Sequence, residues 1–345
     1  MPSLYVSEPG ATLRFSSGSL SVTAPVRELE ADPLPHSSAI ISVQPDLLES
    51  VIIIGHNHVT ADALRFLMEK GITVSWVSRG GRLVGRTITE MTRSADLRLM
   101  QYSHAIDEAG RLERARSVVT AKIENSTESL IGLQSNEPGE ESLASAIASL
   151  KNLSTQATLS TDINQLTGLE GAAAKDYFAA YAIAFKGQIT FSGRNRRPPK
   201  DPANAMLSFA YTLLGNMIGA LLEARGLDPS IGCFHQLRSG RHSLALDLLE
   251  ELRSPVVDRF VLRSCNLRIM RPEMFCRDQE KDGVFLTPEG RKSFFMAWEK
   301  SLLKPLRCKN DQTRPSVHQV IRNQVDEYAA SLRAGRPYRP FLYGG

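Results

Sequence analysis

Residues 201–226 read DPANAMLSFAYTLLGNMIGALLEARG, and nothing between Asp201 and Glu223 carries a charge. A run of about this length spans a bilayer when it is apolar throughout. Here Asn204, Ser208, Thr212 and Asn216 interrupt it, together with Gly215 and Gly219. Asp201 followed by Pro202 is an N-cap with proline in the first helical position, and Gly226 is a stop. Met206, Ala210, Leu213, Met217 and Leu221 return at three- and four-residue steps, which is a helical stripe. The stretch therefore predicts the buried central helix of a bundle rather than a membrane span.

Working outward, helical spacing holds from about Ser94 onward. Leu97, Met100, His104 and Ile106 lead into Leu112, Ala115, Val118, Val119 and Ile123. Loops interrupt it at Ser135–Gly139, Gly193–Pro199 and Arg271–Gly283. Upstream the pattern changes to short apolar runs, which predict strands at Leu4–Val6, Leu20–Val22, Ala39–Val43, Val51–Ile54, Thr73–Val77 and Leu83–Thr87. Arg79-Gly80-Gly81-Arg82 reads as a hairpin turn, and Thr60 caps a short helix that stops at Gly71. The expected fold class is α+β: a small N-terminal β domain over residues 1–93 and a larger all-α-helical catalytic domain over 94–345.

A chain of 345 residues has room for two such domains. Its net charge of +4 is uneven: Arg253 to Gly345 carries 18 Lys/Arg against 10 Asp/Glu, so the preceding residues sum to −4. The asymmetry suggests an anionic partner, with nucleic acid favoured over a membrane, although a solvated basic face has the same composition. The four cysteines show no CxxC spacing, which argues against structural zinc and fits a reducing compartment. The opening residues lack the basic and apolar regions of a signal peptide, so a cytoplasmic location is expected.

Three polar features carry chemistry. Glu170 lies in Gly168-Leu169-Glu170-Gly171-Ala172-Ala173-Ala174, with Tyr177 seven positions on and so on the same helical face. Small residues between the carboxylate and the phenol would leave room for a bulky ligand, whereas a first-turn glutamate on the helix dipole is the plainer reading. His235 precedes the polar loop Gln236-Leu237-Arg238-Ser239-Gly240-Arg241. Next comes Ser243-Leu244-Ala245-Leu246-Asp247-Leu248-Leu249-Glu250-Glu251, whose acids crowd one side of a helix and repel unless a cation lies between them. An imidazole with two or three carboxylates suits Mn²⁺ or Mg²⁺ better than zinc. The third feature is Arg194-Asn195-Arg196-Arg197-Pro198-Pro199-Lys200, four basic residues in seven held extended by proline, a pattern that suits phosphate. Arg238 and Arg241 are further candidates for DNA contact.

These segments occur in one order: Gly168–Ala173, Arg196-Arg197-Pro198-Pro199-Lys200-Asp201-Pro202-Ala203-Asn204-Ala205-Met206-Leu207-Ser208, and Ser243–Glu250. In that arrangement the chain closely resembles the CRISPR-associated spacer-acquisition integrases, over essentially its whole length. Leu4-Tyr5-Val6-Ser7-Glu8-Pro9-Gly10 and Pro337-Tyr338-Arg339-Pro340-Phe341 look like the form found with type I-C systems. The resemblance implies a homodimer built largely through the β domain, and a Mn²⁺/Mg²⁺ site on Glu170, His235 and Glu250, with Asp247 as an accessory. It also implies a small second acquisition protein as partner, and a short prespacer DNA duplex whose 3′-hydroxyls attack the repeat array. His242 stands where relatives commonly have proline, and Ser254-Pro255 interrupts a frequent Arg-Pro pair; neither removes a ligand. Two other readings use the same residues: a stand-alone metal-dependent endonuclease on branched or single-stranded DNA, and a non-catalytic DNA-binding scaffold.

Overall fold

The computed structural model describes residues 3–25, 39–87, 94–135, 139–195, 198–278 and 282–345. The chain divides into two compact units, Met1–Met91 with Leu286–Glu299, and Thr92–Phe285 with Lys300–Gly345. The first is rich in strands and the second in helices, so the fold is α+β.

In the first unit one sheet runs in the order β1 (Ser3–Val6), β5 (Ser50–Ile54), β7 (Thr73–Val77), β8 (Leu83–Arg86). β1, β5 and β7 are parallel, and β8 closes antiparallel on β7. Val51, Ile52, Ile53 and Ile54 are all buried. An unbroken apolar run of this kind belongs in a strand covered on both faces. The second sheet runs β4 (Ala39–Val43), β3 (Ser19–Ala24), β2 (Thr12–Ser16), β6 (His58–Val59). Neither β2 nor β6 was expected. Exposed Arg14 splits the two apolar residues of β2, and β6 has only two residues, too few for a period. Helix α1 (Ala61–Glu69) starts where predicted, with the Thr60 hydroxyl accepting from the Ala63 N–H, and Gly71 ends it at φ +69°. Leu13, Leu20, Val51, Ile53, Leu67 and Val74 form the shared core.

The linear division at residue 93 needs one correction. Helix α9 (Pro288–Leu302) lies mostly in the first unit, because β1 presents a surface that its aromatic face completes. Tyr5 stacks on Phe295 with centroids 4.2 Å apart and donates to Glu299 Oε1 at 2.7 Å.

The second unit contains α2 (Ala95–Ile106), α3 (Glu108–Gln134), α4 (Glu141–Thr158), α5 (Ile163–Ile183), α6 (Pro202–Ala224), α7 (Ser243–Glu250), α8 (Arg259–Asn266) and α10 (Val317–Ala334). It is not all-α: β9 (Phe275–Asp278) lies inside the segment read as a loop and pairs with β10 (Gly283–Leu286), which starts at that segment's last residue. Helix α3 packs against α4, α5 and α7, while α6 packs against α7, α8 and α10. Helix α6 is the predicted central helix, capped by the Asp201 carboxylate on the Asn204 N–H. By length and composition it could cross a membrane, yet 61% of its apolar window lies inside the protein. Met206, Ala210 and Leu213 are buried as expected; farther on, Leu214, Ile218 and Leu222 take the buried positions, and Met217 and Leu221 are only half-buried. Between α7 and α8 the residues Arg253–Asp258 form one wide π turn, in which Pro255 has no N–H to leave unpaired.

The segment 338–343 is fastened to the helices by two buried side chains. The Asn125 amide donates to the carbonyls of Glu251 and Phe341 and accepts from the Tyr343 N–H. The Glu251 carboxylate accepts from the Phe341 N–H and the Tyr338 hydroxyl, each at 2.6 Å.

Within the first unit, buried Asn57 performs a similar task. It donates to the carbonyls of Val6 and Ile54 and accepts from the Ala11 N–H, tying two sheets together. Replacing it by alanine strands these groups at about 1–3 kcal/mol each. Asn57→Ala should therefore lower stability by about 3 kcal/mol. Urea denaturation followed by far-UV circular dichroism measures this.

Candidate metal centre

Helix α5 begins at Ile163 under the Asp162 cap, so Glu170 lies two turns inside it. That position removes the first-turn dipole reading, and the carboxylate needs another partner. It finds one in Lys122 of α3, whose ammonium donates to Glu170 Oε1. The same Nζ lies 2.6 Å from Glu250 Oε2 on α7. Lys122 thus bridges the two acids that the sequence singled out.

Glu250 is only 3% exposed, and Arg253 Nε approaches its Oε2 to 2.7 Å. These two cations hold Oε2 by charge: it is buried and has no aligned hydrogen bond. Burial alone would push the Glu250 carboxyl up, but Arg253, Lys122 and His235 together hold it well below the usual range. It stays ionised throughout ordinary pH. On the other side, His235 Nε2 faces Glu250 Oε1 at 3.7 Å.

Asp247 does not point into this space. Its Oδ2 accepts from the N–H groups of Cys233 and Phe234 at 2.6 and 3.1 Å. Its Oδ1 accepts from the His235 N–H at 2.9 Å and contacts His235 Nδ1 at 2.7 Å. Both oxygens are committed, and the side chain is fully buried. The accessory ligand expected from the sequence is therefore an orienting group: its contact with Nδ1 fixes the ring and turns Nε2 toward Glu250. The close approach needs Gly232, where a Cβ would fall 2.5 Å from Asp247 Oδ2.

Tyr177 does not line the site either. Its ring is buried among Phe178 and Tyr181, and its hydroxyl bonds to Asp258. Ala173, part of the supposed open floor, is buried as well. Tyr211 also donates to Asp258 while its ring lies 4.5 Å beneath the Arg253 guanidinium. Burial pushes the Asp258 carboxyl up to about 6 against the tyrosine hydrogen bonds and two arginines. This buried layer supports Arg253, and through it Glu250.

The candidate DNA contacts divide. Arg238 is exposed, Arg241 is half-buried, and both follow His235 on one loop. Lys200 is paired with Asp282 at the surface. Arg194 turns inward to Asn204 at 2.7 Å, Ser208 at 3.1 Å and the Tyr211 ring, so it braces the start of α6. Arg196 and Arg197 lie outside the described residues.

Two oxygen donors and one imidazole nitrogen fit a hard divalent cation, and the buried, misaligned Glu250 Oε2 is an acceptor suited to one. Among the described residues, no three acid, histidine or cysteine side chains already form a metal cage. The Lys122 ammonium occupies the place between the carboxylates. Lys122 and Arg253 were missed because one belongs to an otherwise unremarked face of α3 and the other follows α7 in a wide turn.

The fold and this site define a class, and comparison with known proteins identifies it. Residues 4–300 match the family described as CRISPR associated protein Cas1, and the chain belongs to that family. It is 33% identical to "CRISPR-associated endonuclease Cas1 3" of Thermus thermophilus, covering 98% of this chain and 96% of the relative. It is 35% identical to a "CRISPR-associated exonuclease Cas4/endonuclease Cas1 fusion" of Geobacter sulfurreducens, covering 73% of this chain but 46% of the fusion. Among solved structures, a Cas1 protein from Thermotoga maritima superposes with a TM-score of 0.79 at 24% identity, covering 100% and 99% of the two chains. A casposase bound to integration product gives 0.82 at 22% identity, covering 98% and 93%.

Two outcomes follow from this geometry. Asp247→Asn places an amide N–H₂ against N–H donors, costing about 2 kcal/mol or more in urea denaturation. It should also change the protonation behaviour of the His235 imidazole, read by ¹⁵N NMR of the ring, because the Asp247 contact at Nδ1 is altered. Separately, burial pushes Glu251 up to about 8 against hydrogen bonds from Tyr338, Phe341 and Gln324. The folded state then holds a proton that the unfolded chain releases near its usual value of 4.5. Stability should fall as pH rises from about 4.5 to 8, by at most ~1.4 kcal/mol per unit. Thermal melts across that range should show this slope in the wild type and a flatter one in Glu251→Gln.

Proposed function

We propose that this chain is a divalent-metal-dependent DNA endonuclease and integrase, which inserts short prespacer DNA into a CRISPR repeat array. The observation that carries it is the convergence of Glu170, Glu250 and His235 Nε2, with Asp247 fixing the imidazole. Relatives that the chain matches at 33–35% identity bear the name endonuclease, which supports the nuclease part. A casposase bound to integration product has the same fold, which is compatible with strand transfer.

In this reading Mn²⁺ or Mg²⁺ is held by Glu170, Glu250 and His235. When bound, such an ion supplies Lewis-acid stabilisation to charge building on the phosphoryl oxygens. The protein does the rest. Asp247 orients the His235 ring through Nδ1, Arg253 keeps Glu250 ionised, and Arg238 and Arg241 bind phosphates beside the scissile bond. A prespacer 3′-oxygen forms a bond to phosphorus as the P–O bond to the repeat strand breaks, leaving a new 3′-hydroxyl. Holding two polyanions in that geometry is the main entropic task, which the arginine loop serves.

The proposed partners are DNA, a second copy of the chain and a Cas2-type protein; a Cas6-RT-Cas1–Cas2 complex includes a chain segment of this fold, with a TM-score of 0.77. Dimerisation through the strand-rich unit fits its exposed apolar side chains on β4 and β8, Ile41 and Val84. The opening and closing segments point to a type I-C array as target.

Incubation with a 3′-hydroxyl prespacer, a repeat-bearing plasmid, Mn²⁺ and the small partner tests this. Joined product is expected; nicking alone would indicate a stand-alone endonuclease, and metal-independent binding alone a scaffold. Glu170→Gln and Glu250→Gln should each lower strand transfer by about a hundredfold or more. Full activity in either would remove the metal assignment.

A further inference from the structure

We infer that Lys122 is a resident cation that competes with the divalent ion for Glu170 and Glu250, and that metal entry frees its ammonium for a DNA phosphate. The inference rests on the metal reading above and adds the element that regulates occupancy. Helix α3 packs on both acid-bearing helices, α5 and α7, and Lys122 is the residue it directs between them. Its side chain is 13% exposed, enclosed yet not sealed, and its Nζ contacts an oxygen of each acid.

Charge balance makes the competition specific. Three carboxylates, Glu170, Glu250 and Asp247, face two cations, Lys122 and Arg253; backbone N–H groups bond to Asp247 without cancelling its charge. A dication added beside Lys122 would put two positive centres on the same oxygens, so the ammonium has to leave. Arg253 is less free to do so, because its guanidinium lies on the Tyr211 ring. Lysine suits the exchange: a flexible four-carbon stem carries a point charge with three donors, equally suited to carboxylate or phosphate. Exchanging the ammonium for a dication raises the charge of the site by one, which favours an anionic phosphodiester beside it. Metal and DNA then strengthen one another's binding, and that coupling is reciprocal.

The test is Mn²⁺ binding followed by electron paramagnetic resonance of free Mn²⁺, with the full-length protein and no turnover. Lys122→Met should bind Mn²⁺ about tenfold more tightly than wild type without DNA. A 3′-blocked DNA duplex should tighten Mn²⁺ binding to wild type by a similar factor and to Lys122→Met by clearly less. Adding Glu170→Gln to Lys122→Met should abolish the gain. Lys122→Gln, which retains hydrogen bonding, guards against misfolding, and should show a larger Mn²⁺-induced rise in Tm than wild type. Equal Mn²⁺ affinities in wild type and both Lys122 variants would overturn the competition and leave the metal site standing. No Mn²⁺ binding to any of them, even with DNA, would overturn the metal reading itself and the competition with it.

Discussion

Burial of the Glu250 carboxylate is the constraint on which the rest of the helical unit depends. An ionised acid at 3% exposure is untenable without compensation, and removing one partner from such a pair typically costs about 3–5 kcal/mol. Lys122 reaches it from α3 and Arg253 from the turn after α7. Both depend on other features. Lys122 requires α3 to lie along α5 and α7, and Arg253 stands three residues after Glu250, one helical step on, at the start of the π turn. That turn also buries Asp258 beneath Tyr177, Tyr181 and Tyr211. The aromatic layer and the acidic site are thus parts of one electrostatic arrangement.

Three acids within five residues illustrate how tertiary surroundings assign different roles to the same chemistry. Asp247 is consumed by backbone N–H groups and an imidazole, so it orients. Glu250 faces cations, so it stays charged and can ligate. Glu251 turns away toward Tyr338 and the Phe341 N–H, where burial favours its protonated form and it anchors the 338–343 segment. On a free helix the three would be interchangeable surface charges repelling by a few tenths of a kcal/mol.

The basic residues divide in the same way. Composition marks Arg194 and Lys200 as phosphate contacts, yet one braces α6 internally and the other is paired with Asp282. Arg238 and Arg241 follow His235 on a loop whose residues 236–240 are exposed. Density of charge in the sequence is a poor guide to which charges remain available. Packing decides that by offering or withholding local acceptors.

Much of the fold was legible from the chain alone. Short apolar runs marked six of the strands, Thr60 and Gly71 bounded α1, and the Asp201 cap began α6, because these signals are local. The family resemblance carried by three ordered segments implied Glu170, His235 and Glu250 as a ligand set. What the chain could not show was who meets whom across long separations. Lys122 between Glu170 and Glu250, Tyr5 on Glu299 and Asn125 on Tyr343 join residues 48 to 294 positions apart. Tyr177 shows the limit most directly: helical spacing correctly aligned it with Glu170, but packing against Tyr181 and Asp258 took its hydroxyl elsewhere. Periodicity states which face a residue occupies; only the neighbouring helices decide what that face touches.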